Sequence, residues 1–448
     1  MMRGGIATNG GSRMRDRSGG AGSKVAAEGI ALDARVEGLA PSATLAMNEL
    51  AARLIAEGRE VFHLGFGQSP FPPPAELVAA LRDNAHRCEY LPVRGLPALR
   101  EAVAAHHSRL HGAPVDARNV LIGPGSKQLM YLVQLALDAV TIVPTPAWVS
   151  YAPQARLAGR PCVTVPTDFD NGWRLTPAAL EAVCGGLGGR RGLLVLNDPG
   201  NPTGTTYGEA HLAALAEVAE RRGLLVLSDE IYGDLDHRGR HVSMARFHPE
   251  GTLVTSGLSK WCGAGGWRLG CLLVPDVLAG LRDAVAIAAS ETFSSASAPI
   301  QYAAVSAYRE SAEISAALEA QRRILAALSG RCVERLRAAG VRVCGADGGF
   351  YLFPDFGPFA GRLAERGITT SAELARRLLA DDGVATLPGS AFGRPAEELT
   401  LRLAYVHFDG GAALRAAAGR TIDEPFLKQH CGRVLQAIER ICAAATGS

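Results

Sequence analysis

The chain has 448 residues, of which 48% are hydrophobic and 20% charged. That length supplies two or three domains' worth of core. A formal net charge of +2 gives no electrostatic ground for expecting nucleic acid or an anionic membrane as partner.

Nine cysteines are scattered along the chain with no C-x-x-C pair. That pattern suits a reducing, cytoplasmic setting and offers neither a disulfide framework nor a zinc site. The 11 histidines form no H-E-x-x-H set, so no metal is expected. No run of 18 apolar residues predicts a membrane span. Residues 1–35 are rich in Gly, Arg and Ser, with Arg3, Arg13, Arg15 and Arg17 among them. They lack the apolar stretch of a secretory signal and read as a disordered tail.

Pro41-Ser42-Ala43-Thr44 opens a helical pattern. Val61-Phe62-His63-Leu64 is a short strand, broken by the loop Gly65-Phe66-Gly67-Gln68-Ser69-Pro70. Helical patterns cover 75–84 and 96–110. The centre then alternates, with strands at 120–122, 140–143, 161–165, 193–196, 224–227 and 252–255 and helices at 126–137 and 209–222. Short, continuously apolar strands between helices predict a parallel sheet covered on both faces. A helical stretch follows over 277–336, interrupted near 294–299. Strands at 341–343, 350–353 and 399–404 beside helices at 371–380 and 426–445 predict a second, α+β domain.

In such sheets ligands sit beyond the carboxyl ends of the strands. The first ends in Gly123-Pro124-Gly125-Ser126-Lys127 before a helix, a glycine-permitted approach to free N–H groups that suits a phosphate. Another ends in Asn197-Asp198-Pro199-Gly200-Asn201-Pro202-Thr203-Gly204. The next delivers Asp229 and, three residues on, Tyr232. The last ends in Ser259-Lys260 and a glycine-rich stretch leading to Arg268. A carbonyl cofactor with a phosphate and a pyridine ring needs this set. The lysine forms a Schiff base, the carboxylate keeps the ring nitrogen protonated, and donors and an arginine serve the oxygen and phosphate.

With these motifs the chain resembles the fold-type I pyridoxal-phosphate (PLP) enzymes, class I/II aminotransferases, and within them the bacterial-type aspartate aminotransferase subgroup. The matching stretches run from Pro41 to Leu403. The resemblance implies an α/β fold with a large, mostly parallel PLP domain (75–315) and a small α+β domain made of 36–74 and 316–448. It implies a homodimer with shared sites.

It further implies that Lys260 carries the cofactor and shuttles the Cα proton. Asp229 would pair with the pyridine nitrogen, and Asn201 and Tyr232 with the phenolic oxygen. Trp148 would stack on the ring. Gly125, Ser126, Lys127 and Arg268 would surround the phosphate, and Tyr90 would reach the phosphate of the neighbouring subunit. Arg402 would grip the substrate α-carboxylate, with Gly67 and Asn201 beside it.

The reaction so implied is a ping-pong exchange between an amino acid and a 2-oxo acid. Lys127, Ser42 and Thr44 match positions that favour an acidic substrate such as aspartate or glutamate. Four departures point to a specialised member: Ala40 in place of lysine, Gly67-Gln68-Ser69-Pro70 in place of Gly-Glu-Pro, Gly263-Ala264-Gly265-Gly266 after the lysine, and a short turn after Asp138. A lyase, decarboxylase or oxidase on the same scaffold is the alternative. A transcription regulator is disfavoured, because residues 1–35 show no helix-turn-helix pattern.

Overall fold

The computed structural model describes residues 32–39, 43–309 and 311–447. The side chains of 43–46 and 48 lie outside the described set. The chain divides into a unit of residues 1–38 and one of residues 39–448. In the first, the described residues form a turn in which Arg35 bonds to the Asp33 carboxylate. The tail expected over 1–35 lies mostly outside the described residues.

The second unit is organised around seven strands. They are β1 (Val120–Gly123), β2 (Val140–Thr145), β3 (Cys162–Pro166), β4 (Gly192–Asn197), β5 (Leu225–Asp229), β6 (Thr252–Gly257) and β7 (Gly270–Leu273). Their spatial order is β1-β7-β6-β5-β4-β2-β3. Only β7 runs against the rest. The apolar runs of β4 and β5 are buried along their length because helices cover both faces, which is why they show no polar alternation. Every parallel strand therefore delivers its carboxyl end to one edge of the sheet.

At that edge Gly123, Gly270 and Gly257 lie abreast in register. A Cβ on Gly270 would run into the Ser126 nitrogen, and one on Gly257 would lie 2.6 Å from the Leu269 carbonyl oxygen. The bare backbone here lets the turn through Gly125 fold down over the strand ends.

A second, smaller set of strands joins distant parts of the chain. Phe62–His63 pairs in parallel with Val384–Ala385, and Leu401–Ala404 lies between Leu387–Pro388 and Tyr351–Leu352. The segment 341–343, expected as a strand, makes only a single bridge through Arg342 to Asp355. The stretch 277–336 is three helices, Ala279–Ser290, Ala298–Tyr308 and Ala312–Ala338. The last is started by Ser311, whose hydroxyl accepts from the Ile314 N–H. The single helix expected at 426–445 is two, Glu424–His430 and Gly432–Thr446, because Cys431 leaves the helical region at φ −123°. No helix among the described residues is long and apolar enough to cross a membrane.

Candidate active site

A cavity of about 680 Å³ opens at the carboxyl edge of the sheet, a size ordinary for a cofactor with its substrate. Strand ends and loops bring Lys127, Trp148, Asn201, Asp229, Tyr232, Lys260, Arg268 and Arg402 to its wall, with Gly67 and Ser126. Ser42 and the Thr44 side chain lie outside the described residues. Tyr90 is 93% exposed and lines no part of this cavity.

Asp229 closes β5 and is buried. The Tyr151 hydroxyl donates to its Oδ2 at 2.7 Å, and the Ile231 N–H and Thr255 hydroxyl reach Oδ1 at 3.4 Å each. Burial pushes its carboxyl up to about 6, while those three donors and the Lys260 charge hold it from rising further. A buried carboxylate held by neutral donors, with no ion-pair partner among the described residues, fits a cationic ring nitrogen.

Lys260 follows β6, and its Nζ donates to the Gly67 carbonyl at 2.7 Å. Tyr232 is buried, with its hydroxyl 2.9 Å from that of Tyr351. Burial raises the Tyr232 phenol well above its ordinary range, and Tyr351 adds to the effect. Asn201 enters the wall from the loop after β4, where its N–H donates to Asn197 Oδ1 at 2.7 Å.

The turn after β1 behaves as a cradle. Gly125 has φ +94° and starts the helix Ser126–Ala136. A Cβ there would meet the Arg268 guanidinium, with its Cζ at 3.1 Å. Arg268 is itself held by the carbonyls of Gly265 (2.8 Å) and Pro124 (3.3 Å). Glycine, a helix N-terminus and an arginine together fit a phosphate. Lys127 is the second residue of that helix, with Nζ 4.9 Å from the Trp148 ring centre. Loss of solvent, then Arg268 and Lys260, depress its ammonium.

Arg402 is 5% exposed. Its Nη2 donates to the Gly65 carbonyl at 2.5 Å and its Nη1 to Asn201 Oδ1 at 3.5 Å, while Nε has no acceptor among the described residues. Its guanidinium lies over the Tyr351 ring at 4.8 Å and over the Phe392 ring at 5.2 Å. Burial pulls its proton affinity down, and no carboxylate side chain among the described residues pairs with it. A buried guanidinium left without an anion is costly unless a ligand supplies one.

Two residues of this wall carry no motif in the sequence. Tyr151 is three residues beyond Trp148, a spacing that turns it toward Asp229 only once the short helix Tyr151–Leu157 forms. Tyr351 sits in the apolar run 350–353 and reads there as core.

A site with this lysine, carboxylate and phosphate cradle serves a PLP-dependent enzyme of amino acids. Residues 59–409 match the family Aminotransferase class I and II. The aspartate aminotransferase of Geobacillus stearothermophilus is 36% identical over 382 residues, 83% of this chain and 93% of that protein. The asparagine–oxo-acid transaminase of Streptococcus mutans is 31% identical over 393 residues, 84% of this chain and 94% of that one. The structure of the aspartate aminotransferase from Thermus thermophilus with maleate superimposes with a TM-score of 0.79 at 29% identity, over 92% of this chain and 99% of that chain. The chain belongs to the class I and II aminotransferases. It is a PLP-dependent aminotransferase, and its substrates are amino acids and 2-oxo acids.

Proposed function

We propose that this enzyme prefers an acidic amino acid, aspartate or glutamate, as one partner in the exchange. The carrying observation is the charge balance of the cavity. Lys127, Lys260, Arg268 and Arg402 line it against one buried carboxylate, Asp229. Lys260 is committed to the cofactor, Arg268 to its phosphate and Arg402 to an α-carboxylate. Lys127 is the remaining cation, and beside the Trp148 ring it is shared between the doubly charged phosphate and a substrate side-chain carboxylate. The relatives named as aspartate aminotransferases support the same class.

In this reading Asn201 and Tyr232 bind the phenolic oxygen and Trp148 faces the ring. Gly125, Ser126 and Arg268 take the phosphate. When bound, PLP supplies an electron sink conjugated to the substrate nitrogen. Lys260 holds the cofactor, and its freed amine removes the proton from the substrate Cα and returns it at the far end of the conjugated system. Asp229 keeps a proton on the ring nitrogen. Arg402 grips the α-carboxylate with its two outer nitrogens and, with Gly67 and Asn201 beside it, fixes which Cα bond faces Lys260.

We read 36–74 and 316–448 as one small domain and 75–315 as the large one, and the enzyme as a homodimer. The exposed Tyr90 ring supports the dimer, since the phosphate it would serve lies in a partner. The test is to add amino acids singly to the PLP-loaded protein and follow the visible band and the 2-oxo acid formed. Conversion by aspartate or glutamate at low concentration is expected. Conversion by neutral or basic amino acids alone overturns the acidic preference and leaves the aminotransferase intact.

A further inference from the structure

Tyr351 touches three residues of the site, Tyr232, Arg402 and Gly67. It lies on the strand Tyr351–Leu352, opposite Ala404 on Leu401–Ala404. Arg402 and Ala404 share one face of their strand, so Tyr351 and Arg402 are diagonal neighbours. The Tyr351 ring is 99% buried, lies beneath the Arg402 guanidinium at 4.8 Å, and carries its hydroxyl to 2.9 Å from that of Tyr232. The same hydroxyl fills the space where a Cβ on Gly67 would stand.

Two hydroxyls at this distance share one hydrogen. Among the described residues the Tyr351 hydroxyl has Tyr232 as its hydrogen-bond partner and no second acceptor. If Tyr351 donates, Tyr232 accepts, and the Tyr232 hydrogen is free to point into the cavity. If Tyr351 were apolar, Tyr232 could rotate about its C–O bond with nothing to fix it.

We propose that Tyr351 is a positioning residue with two separable tasks: its hydroxyl aims the Tyr232 hydrogen at the cofactor's phenolic oxygen, and its ring holds Arg402 in place for the substrate carboxylate. The proposal rests on the reading of Tyr232 as a ligand of that oxygen. One buried side chain thus links the cofactor's electronic tuning to carboxylate binding.

The test uses the PLP-loaded enzyme and the pH titration of its visible band. A donor at the phenolic oxygen favours its anionic form, so losing that donor raises the titration point. Tyr351→Phe keeps the ring and removes the hydroxyl. It is expected to move the band's titration point up by about half a unit to one unit, the net weight of one hydrogen bond. KM for the amino acid should stay within about twofold, because the platform under Arg402 survives. Tyr351→Leu removes both and is expected to raise KM as well. In a Tyr232→Phe background, Tyr351→Phe should add no further shift. An unmoved titration point in Tyr351→Phe, or the same added shift in the Tyr232→Phe background, overturns the proposal. A Tyr232→Phe enzyme whose band titrates as the parent does overturns the underlying assignment of Tyr232 instead, and the proposal falls with it.

Discussion

Gly67→Ala probes the packing of the substrate end of the cavity. A Cβ at Gly67 would collide with the Tyr351 hydroxyl and lie 2.9 Å from its Cζ and 3.0 Å from its Cε1. Carbon atoms pack at about 3.5–4.0 Å, so the ring must retreat by about 0.6 Å at Cζ and further at the hydroxyl. It has little room, because Tyr232 stands behind the hydroxyl and Arg402 lies on the ring. If the loop gives way instead, the Gly67 carbonyl that accepts from Lys260 moves. Either displacement misplaces reacting groups by a fraction of an ångström to an ångström. Such shifts cost on the order of a hundredfold in rate, and overpacking a core costs about 1–3 kcal/mol of stability. Steady-state kcat/KM with glutamate and a 2-oxo acid, with thermal denaturation alongside, measures both. Gly67→Ala is expected to lose about two orders of magnitude in kcat/KM, and adding Tyr351→Phe should restore part of it by removing the worst overlap. A Gly67→Ala enzyme within about threefold of the parent refutes the close packing argued for this wall.

Lys127→Met should cut kcat/KM for aspartate or glutamate by about tenfold while sparing a neutral donor such as alanine, the lower range for a charge-assisted contact at an accessible position. An equal fall for both donors would remove Lys127 from side-chain recognition. Asp229 titrates near 6 in the cofactor-free protein. PLP affinity should therefore weaken as pH falls below that point, by up to about tenfold per unit. Tyr151 lowers the Asp229 pKa through its hydrogen bond, so Tyr151→Phe should start the weakening at higher pH in a fluorescence titration. Beneath Asp229, the buried Glu230 carboxylate accepts from Ser228, Ser243 and His241 at 2.8, 2.7 and 3.0 Å. Burial opposes both charges, yet their pairing leaves Glu230 at about 2 and His241 at about 9. Glu230 is depressed, so its contribution is lost as pH falls from about 4 toward 2. His241 is raised, so its contribution is full below about 6.5 and lost as pH rises toward 9. His241→Gln should cost about 3–5 kcal/mol near pH 6 by chemical denaturation and distinctly less above pH 9. A cost independent of pH would mean that the pair is not ionised.

The parts of the fold legible in the sequence are those whose signal is local. The runs 193–196 and 224–227 announce buried parallel strands because both faces are covered, and Gly125 and Lys260 stand out because each follows directly on a strand end, with Arg268 at the end of the glycine-rich loop after Lys260. The antiparallel β7 is hidden, since Gly270–Leu273 is four residues long and follows a glycine-rich stretch that reads as loop. The break at Cys431 is obscured too, because its one marker is Gly432 just after it and the apolar spacing continues through both. Within the site the same rule holds. Asp229 and Tyr232 lie on one segment and can be read together, whereas the contact between Tyr232 and Tyr351 joins residues 119 positions apart. Tyr351 sits between Phe350 and Leu352 and has the local character of a core residue. Its hydroxyl acquires meaning only when the strand carrying Arg402 is laid beside its own. What distinguishes it from the other buried aromatics is therefore pairing register, a property of two strands that neither segment contains alone.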